Sequence, residues 1–117
     1  MEMMQTVENS VRYPKAMSDP IPDKAQVSID FPHKFYMGSF GRESRFDVTA
    51  DGEGVHIHLD RPGDERRHVG FHLHHSMLVG ILNAMGDALS EVDGLKIHQR
   101  KALREAVTHL AESIPPE

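Results

Sequence analysis

The sequence contains no cysteine, and this absence removes several classes of protein at once. Without thiols the chain has no disulfide framework, no thiolate nucleophile and no zinc–thiolate site. It also lacks an apolar run long enough to cross a membrane. Its first ten residues, MEMMQTVENS, lack the charged-then-apolar pattern of a signal peptide. We therefore expect a cytoplasmic protein that makes no use of a membrane.

Signatures of catalysis are missing as well. The stretch GSFG at 38–41 does not match the Gly-x-Ser-x-Gly elbow of serine hydrolases. DGEG at 51–54 suits a hairpin turn better than a phosphate-binding loop. The formal net charge of −5 over 117 residues does not indicate a strongly acidic or basic partner. We expect a non-enzymatic protein, long enough for one domain with a core.

Alternation of apolar and polar residues predicts an antiparallel meander. Residues 1–25 carry few apolar side chains and are expected to form a mobile N-terminal arm, which leaves 26–117 as a single domain. VSIDF, at 27–31, is either an additional edge strand or an extension of the first strand across Pro32. The four main strands are expected at about 33–40, 43–50, 54–60 and 67–74.

Two turn signals predict how the first three of these strands pair. The dipeptide at 41–42, Gly-Arg, suits a type II′ turn, and the one at 51–52, Asp-Gly, suits a type I′ turn. The first turn sets Met37 opposite Phe46, and the second sets Phe46 opposite Ile57. Both turns bring the same side of the middle strand inward, so they support each other.

Two helices are predicted after the last strand. The first begins with Ser76 as its N-cap and ends at Asp93-Gly94, and the second spans about 96–113. The first carries an apolar stripe made of Leu78, Ile81, Leu82, Met85, Leu89 and Val92. We therefore predict an α+β fold in which a C-terminal helical hairpin covers one face of a four- or five-stranded antiparallel meander sheet.

Histidine is concentrated on the other face of this predicted sheet. Six of the nine histidines of the chain lie between residues 55 and 75. The loop RPGDER leaves the register of the last two strands open, but one register of the right parity sets His56 opposite His72, with His58 and His74 on the diagonals. The residues that share the histidine-rich face by parity are His56, His58, His68, His72 and His74.

These histidines form a candidate metal site. Neutral imidazole is a common protein ligand of zinc, nickel and copper. In this interpretation, a zinc or nickel ion is bound by His56, His58, His72 and His74. Asp47, which lies opposite His56 in the predicted register, is expected to orient that ring as a hydrogen-bond acceptor outside the ligand set.

The order of the elements supports a different interpretation of the same face. In FDVTADGEGVHIHLDR, the central hairpin, and in FHLHHSMLVGILNAMGDAL, the passage from strand to helix, the chain resembles the repeat of the Whirly and Pur-type single-strand binders, over about residues 33–92. The resemblance implies nucleic acid bound along the sheet and frequent dimerisation. Stacking and phosphate contacts would come from Lys34, Tyr36, Phe40 and Arg45. The acidic net charge disfavours this interpretation, because phosphate neutralisation supplies much of such affinity.

The last interpretation is a protein interface. A sheet with one helical layer is thin, and a small chain often completes its burial by pairing with a second copy. Imidazole, tyrosine and phenylalanine side chains are compatible with a partly buried interface. We expect a homodimeric interaction protein that uses the histidine-rich sheet face. Metal binding and single-stranded nucleic-acid binding through that face are the alternatives.

Overall fold

The computed structural model describes residues 19–117 and contains six strands followed by two helices. Where the sequence predicts one domain over 26–117, the chain divides between Val79 and Gly80 into two compact units. All six strands belong to the first unit, and most of the helical residues belong to the second. The α+β class with antiparallel sheets is confirmed. The predicted packing of the helices on the sheet concerns both units and stays a prediction.

Every strand pairing is antiparallel, and the strands fall into two sheets. The larger sheet has the order β1-β4-β5-β6, and β2 with β3 forms a separate two-stranded sheet. The meander is therefore made by β4, β5 and β6, joined in chain order. The strands are β1 (Asp19–Pro20), β2 (Ala25–Phe31), β3 (Lys34–Phe40), β4 (Arg45–Ala50), β5 (Gly54–Arg61) and β6 (Arg67–His74).

The predicted arm over residues 1–25 reaches into this sheet at its C-terminal end. Residues 1–18 lie outside the described part of the chain. β1 pairs with the start of β4, and Ile21, just after it, is only 6% exposed. The backbone N–H of Ile21 donates to the carbonyl oxygen of Ser44 over 3.0 Å. The end of the predicted arm therefore forms an edge strand, and the buried side chain of Ile21 follows it.

The predicted hairpin between β3 and β4 is wrong. β3 pairs with β2 through a tight turn at 32–33, so the segment at 27–31 is a strand whose neighbour is β3. At the predicted hairpin turn, the N–H of Ser44 donates to the carbonyl oxygen of Gly41 over 2.9 Å. The N–H of Gly41 donates to the Glu43 carboxylate over 3.3 Å. The segment 41–44 is therefore a local turn held by its own hydrogen bonds, and it does not join β3 and β4 as paired strands.

The hairpin between β4 and β5 has the predicted parity but a register shifted by two residues. Phe46 lies opposite Leu59 instead of Ile57. The turn lies one residue further along the chain than predicted, because the N–H of Asp51 donates to the carbonyl oxygen of Gly54 over 3.0 Å, with Gly52 and Glu53 between them. A shift of two residues leaves each side chain on the face that alternation predicted.

The hairpin between β5 and β6 has the register that the sequence analysis above gives as one of the open possibilities. Leu59 lies opposite Val69, and His56 lies opposite His72. Apolar side chains of both strands therefore share one face of the sheet and histidines share the other. This pairing positions the candidate site described below.

The helices are α1 (His75–Leu89) and α2 (Ile97–Ser113). α1 starts before Ser76, which is therefore not its N-cap, and it ends four residues before the predicted stop at Asp93. At the start of α2 the N–H of Lys96 donates to Oε1 of Gln99 over 2.9 Å. No residue of either helix is buried. Within residues 19–117, no helix has the length and apolar character needed to cross a membrane.

Candidate metal centre on the histidine face

Five histidines line one side of the β5–β6 hairpin, and we call this surface the histidine face. β5 contributes two of them and β6 contributes three, and alternation of side chains along each strand brings all five to the same side. The face consists of His56, His58, His68, His72 and His74. Its prediction from sequence parity is confirmed by the ring contacts that follow.

The rings of His56 and His72 are stacked across the two strands. Their centroids lie 3.9 Å apart and their planes differ by 14°. The ring of His74 lies beside that of His72, with centroids 4.4 Å apart and planes at 35°. The cross-strand pairing therefore produces a contiguous row of three imidazoles.

Asp51 brings a carboxylate to one end of this row. Its Oδ2 atom accepts a hydrogen bond from Nε2 of His56 over 3.3 Å. Its Oδ1 atom accepts the backbone N–H groups of Glu53 over 2.8 Å and of Gly54 over 3.1 Å. The loop between β4 and β5 thus fixes the orientation of the carboxylate. These N–H groups, Glu53 first, lower the pKa of Asp51 below its ordinary value, against a smaller opposing effect of desolvation.

Asp51, His56 and His72 each offer one donor atom, and these three atoms lie within 4.8 Å of one another. Two imidazole nitrogens and a carboxylate oxygen suit zinc and its neighbours in the first transition series. An ion bound here would replace the proton that Asp51 and His56 share. The two stacked rings would also have to splay, because each imidazole lone pair lies in the plane of its own ring.

The group of converging donor atoms differs from the predicted ligand set, which stays a prediction. Only His56 and His72 of the four predicted histidines belong to the group of converging donors. Asp47 lies opposite His58 and not opposite His56, because the register of β4 is shifted by two residues. The predicted arrangement of Asp47 next to His56 is therefore wrong.

His58 belongs to a second cluster on the same face. Its Nδ1 lies 3.2 Å from Nε2 of His68, and its ring covers Gly70, where an added Cβ would meet Nδ1 at 3.2 Å. Burial lowers the pKa of His58 below its ordinary value, while the charge of Asp47 acts in the opposite direction. Asp47 is 4% exposed, and its Oδ2 atom has no hydrogen-bond partner in the described structure.

The residues predicted for a nucleic-acid or partner surface do not share a sheet. Lys34 and Tyr36 lie on β3, in the two-stranded sheet, whereas Arg45 begins β4 in the larger sheet. Phe40 is 2% exposed, so its ring is part of the core and is not available for stacking. The prediction placed all four on one sheet because it paired β3 with β4.

Asp51 is the residue of this site that the sequence prediction missed. The sequence pattern places it in the Asp-Gly turn at 51–52 and assigns its side chain no role. The available signal is its position, because an aspartate that closes a loop just before β5 lies beside the first histidine of that strand. An acceptor role for one carboxylate oxygen leaves the other oxygen free to face His56.

Comparison with known proteins shows a similarity between this chain and a ribosomal protein. No protein-family model matches it, and no solved structure matches it. It is 30% identical over 111 residues to the large ribosomal subunit protein uL6 of Carboxydothermus hydrogenoformans, in an alignment that covers 84% of this chain. The resemblance to the Whirly and Pur-type proteins stays a prediction. The chain is thus similar to part of a ribosomal protein and spans 60% of that relative's length.

Proposed function

We propose that this protein is a non-enzymatic binding protein that holds a divalent transition-metal ion on the histidine face, through Asp51, His56 and His72. The observation that supports the proposal is the convergence of one carboxylate and two imidazoles, whose donor atoms lie within 4.8 Å of one another. Carboxylate and imidazole together favour zinc, nickel or copper over magnesium and calcium, which prefer oxygen ligands.

The scaffold of the site supports this proposal. His56 and His72 are directly opposite in the β5–β6 ladder, so their relative position is set by backbone hydrogen bonds. The Asp51 side chain is held in place because its Oδ1 atom accepts hydrogen bonds from the N–H groups of Glu53 and Gly54. Because the backbone positions and the carboxylate are already fixed, binding an ion requires mainly that the two imidazole rings rotate, which limits the loss of conformational entropy.

The test is calorimetric titration of Zn²⁺ into the untagged, chelator-treated full chain near pH 7. We expect saturation at one ion per chain. Loss of a residue outside the ligand set of a metal site typically weakens binding by about 10- to 100-fold. We therefore expect His56→Gln and His72→Gln each to weaken zinc binding by at least about 100-fold.

The matched control is His98→Gln, which makes the same substitution on exposed α2. It should leave both stoichiometry and affinity unchanged. If the three variants bind zinc equally, or if binding is weak and fails to saturate at millimolar zinc, the proposal is wrong.

A second candidate function is association with the large ribosomal subunit. It is favoured by the similarity to uL6, whose name assigns that protein to the large subunit. Such an association would place the chain in the cytoplasm, as expected from its sequence. The net charge of −5 means that any contact with RNA would depend on local basic residues.

This candidate is tested by sedimentation of purified large subunits with the chain through a sucrose gradient. At low salt the chain should move with the subunits, and it should be released as the salt concentration rises, because phosphate contacts weaken with salt. A chain that stays at the top of the gradient even at low salt would eliminate this candidate. The His56→Gln variant should sediment like the wild type, which separates this function from metal binding.

A further inference from the structure

The proposed metal centre is one ligand short of a complete shell. Zinc in protein sites that bind no substrate is almost always held by four ligands. Among residues 19–117, the group of converging donors has three members, Asp51, His56 and His72. The ring of His74 contacts that of His72, yet its donor atoms fall outside the group. The fourth position is therefore left to water or to a second molecule.

The centre also lies where a second molecule can reach it. Asp51, His72 and His74 are exposed, and His56 is partly exposed. A flat sheet face cannot wrap around an ion, so the open side of the shell points away from the sheet. A bound cation would offset the charge of the Asp51 carboxylate, and neutral imidazoles of two molecules approach without charge repulsion.

We infer that a zinc ion joins two copies of this chain across their histidine faces, with His74 of each copy supplying the fourth ligand to the ion held by the other. This inference rests on the proposed function and names the partner of that site. A two-fold arrangement brings the same surface of both copies together, so one unused histidine per chain completes both shells. Each ion then has three imidazole nitrogens and one carboxylate oxygen, a donor set suited to tetrahedral zinc.

The experiment is sedimentation velocity of the untagged full chain with either one equivalent of Zn²⁺ or an excess of chelator. We expect a monomer in chelator and a species of twice that mass with zinc. His74→Gln should weaken zinc-dependent dimerisation at least tenfold, while calorimetry still detects one ion per chain. His98→Gln, on α2 and outside the histidine face, is the control, and it should dimerise like the wild type.

The outcomes separate this inference from the proposed function. Zinc bound at one ion per chain by a protein that stays monomeric overturns the inference and leaves the metal site in place. Absence of zinc binding overturns both. A dimer that persists in chelator, a His74→Gln variant that dimerises like the wild type, or zinc-dependent growth beyond dimers also overturns the inference. Circular dichroism of His74→Gln, matched to the wild type, establishes that the variant is folded.

Discussion

Replacing Gly54 with alanine is expected to destabilise the pairing of β5 with β6 in the larger sheet. A Cβ at this position would meet the carbonyl oxygen of Leu73 at 2.2 Å and the Cα of His74 at 2.8 Å, both backbone atoms of the paired strand. Neither atom can move away without breaking the β5–β6 ladder. Since overpacking typically costs 1–3 kcal/mol and here meets rigid backbone, we expect the free energy of unfolding to fall by about 3 kcal/mol or more.

Urea unfolding followed by circular dichroism measures this effect. The control is Gly52→Ala in the same loop, because an added Cβ there has no atom within 4 Å. The control should change the free energy of unfolding by less than about 0.5 kcal/mol. Equal effects of the two substitutions would show that the close approach at Gly54 does not exist. Since Gly54 is not among the glycines with positive φ, its requirement is steric.

Substitutions at Asp51 are expected to separate metal binding from loop stability. Asp51→Asn keeps a carbonyl oxygen that can accept the N–H groups of Glu53 and Gly54, but it removes the negative charge that a cation needs. We expect this variant to unfold at nearly the wild-type urea concentration and to bind zinc about 100-fold more weakly, the upper end of the range for damage around a metal site.

Asp51→Ala removes both functions of the side chain. We expect it to bind zinc as weakly as the asparagine variant and, in addition, to unfold at a lower urea concentration, because two loop N–H groups lose their acceptor. Calorimetry and urea unfolding of both variants provide the comparison. If Asp51→Asn retains wild-type affinity, the carboxylate is not a ligand. If Asp51→Ala unfolds like the wild type, the hydrogen bonds do not stabilise the loop.

The histidine face was predictable because it depends only on parity. Side chains alternate between the two faces of a strand, and an even shift of register preserves this alternation. The predicted register of β4 against β5 differs from the observed one by two residues, yet His56 and His72 still lie on the predicted face. The class of the fold was predictable for a similar reason. Segments in which apolar and polar residues alternate are followed by two segments whose apolar residues have helical spacing.

The pairing of β3 was not predictable from turn signals alone. The chain offers one reversal at 32–33 and another at 41–42, and β3 lies between them. In the structure, the Glu43 carboxylate accepts the N–H of Gly41, and β1 occupies the edge of β4 instead. Either reversal could pair β3 with a neighbouring strand, and residue patterns alone do not rank the two pairings.

Sequence alone determined that this chain forms an antiparallel α+β fold with histidines collected on one face. Tertiary structure alone decided that Asp51 joins His56 and His72, and that Asp47 lies beside His58. The physical reason is one of scale. Two residues along a strand span about 7 Å, whereas the ligands of one zinc ion lie about 2 Å from it. A register error too small to change a face is therefore large enough to change which histidine lies beside Asp47.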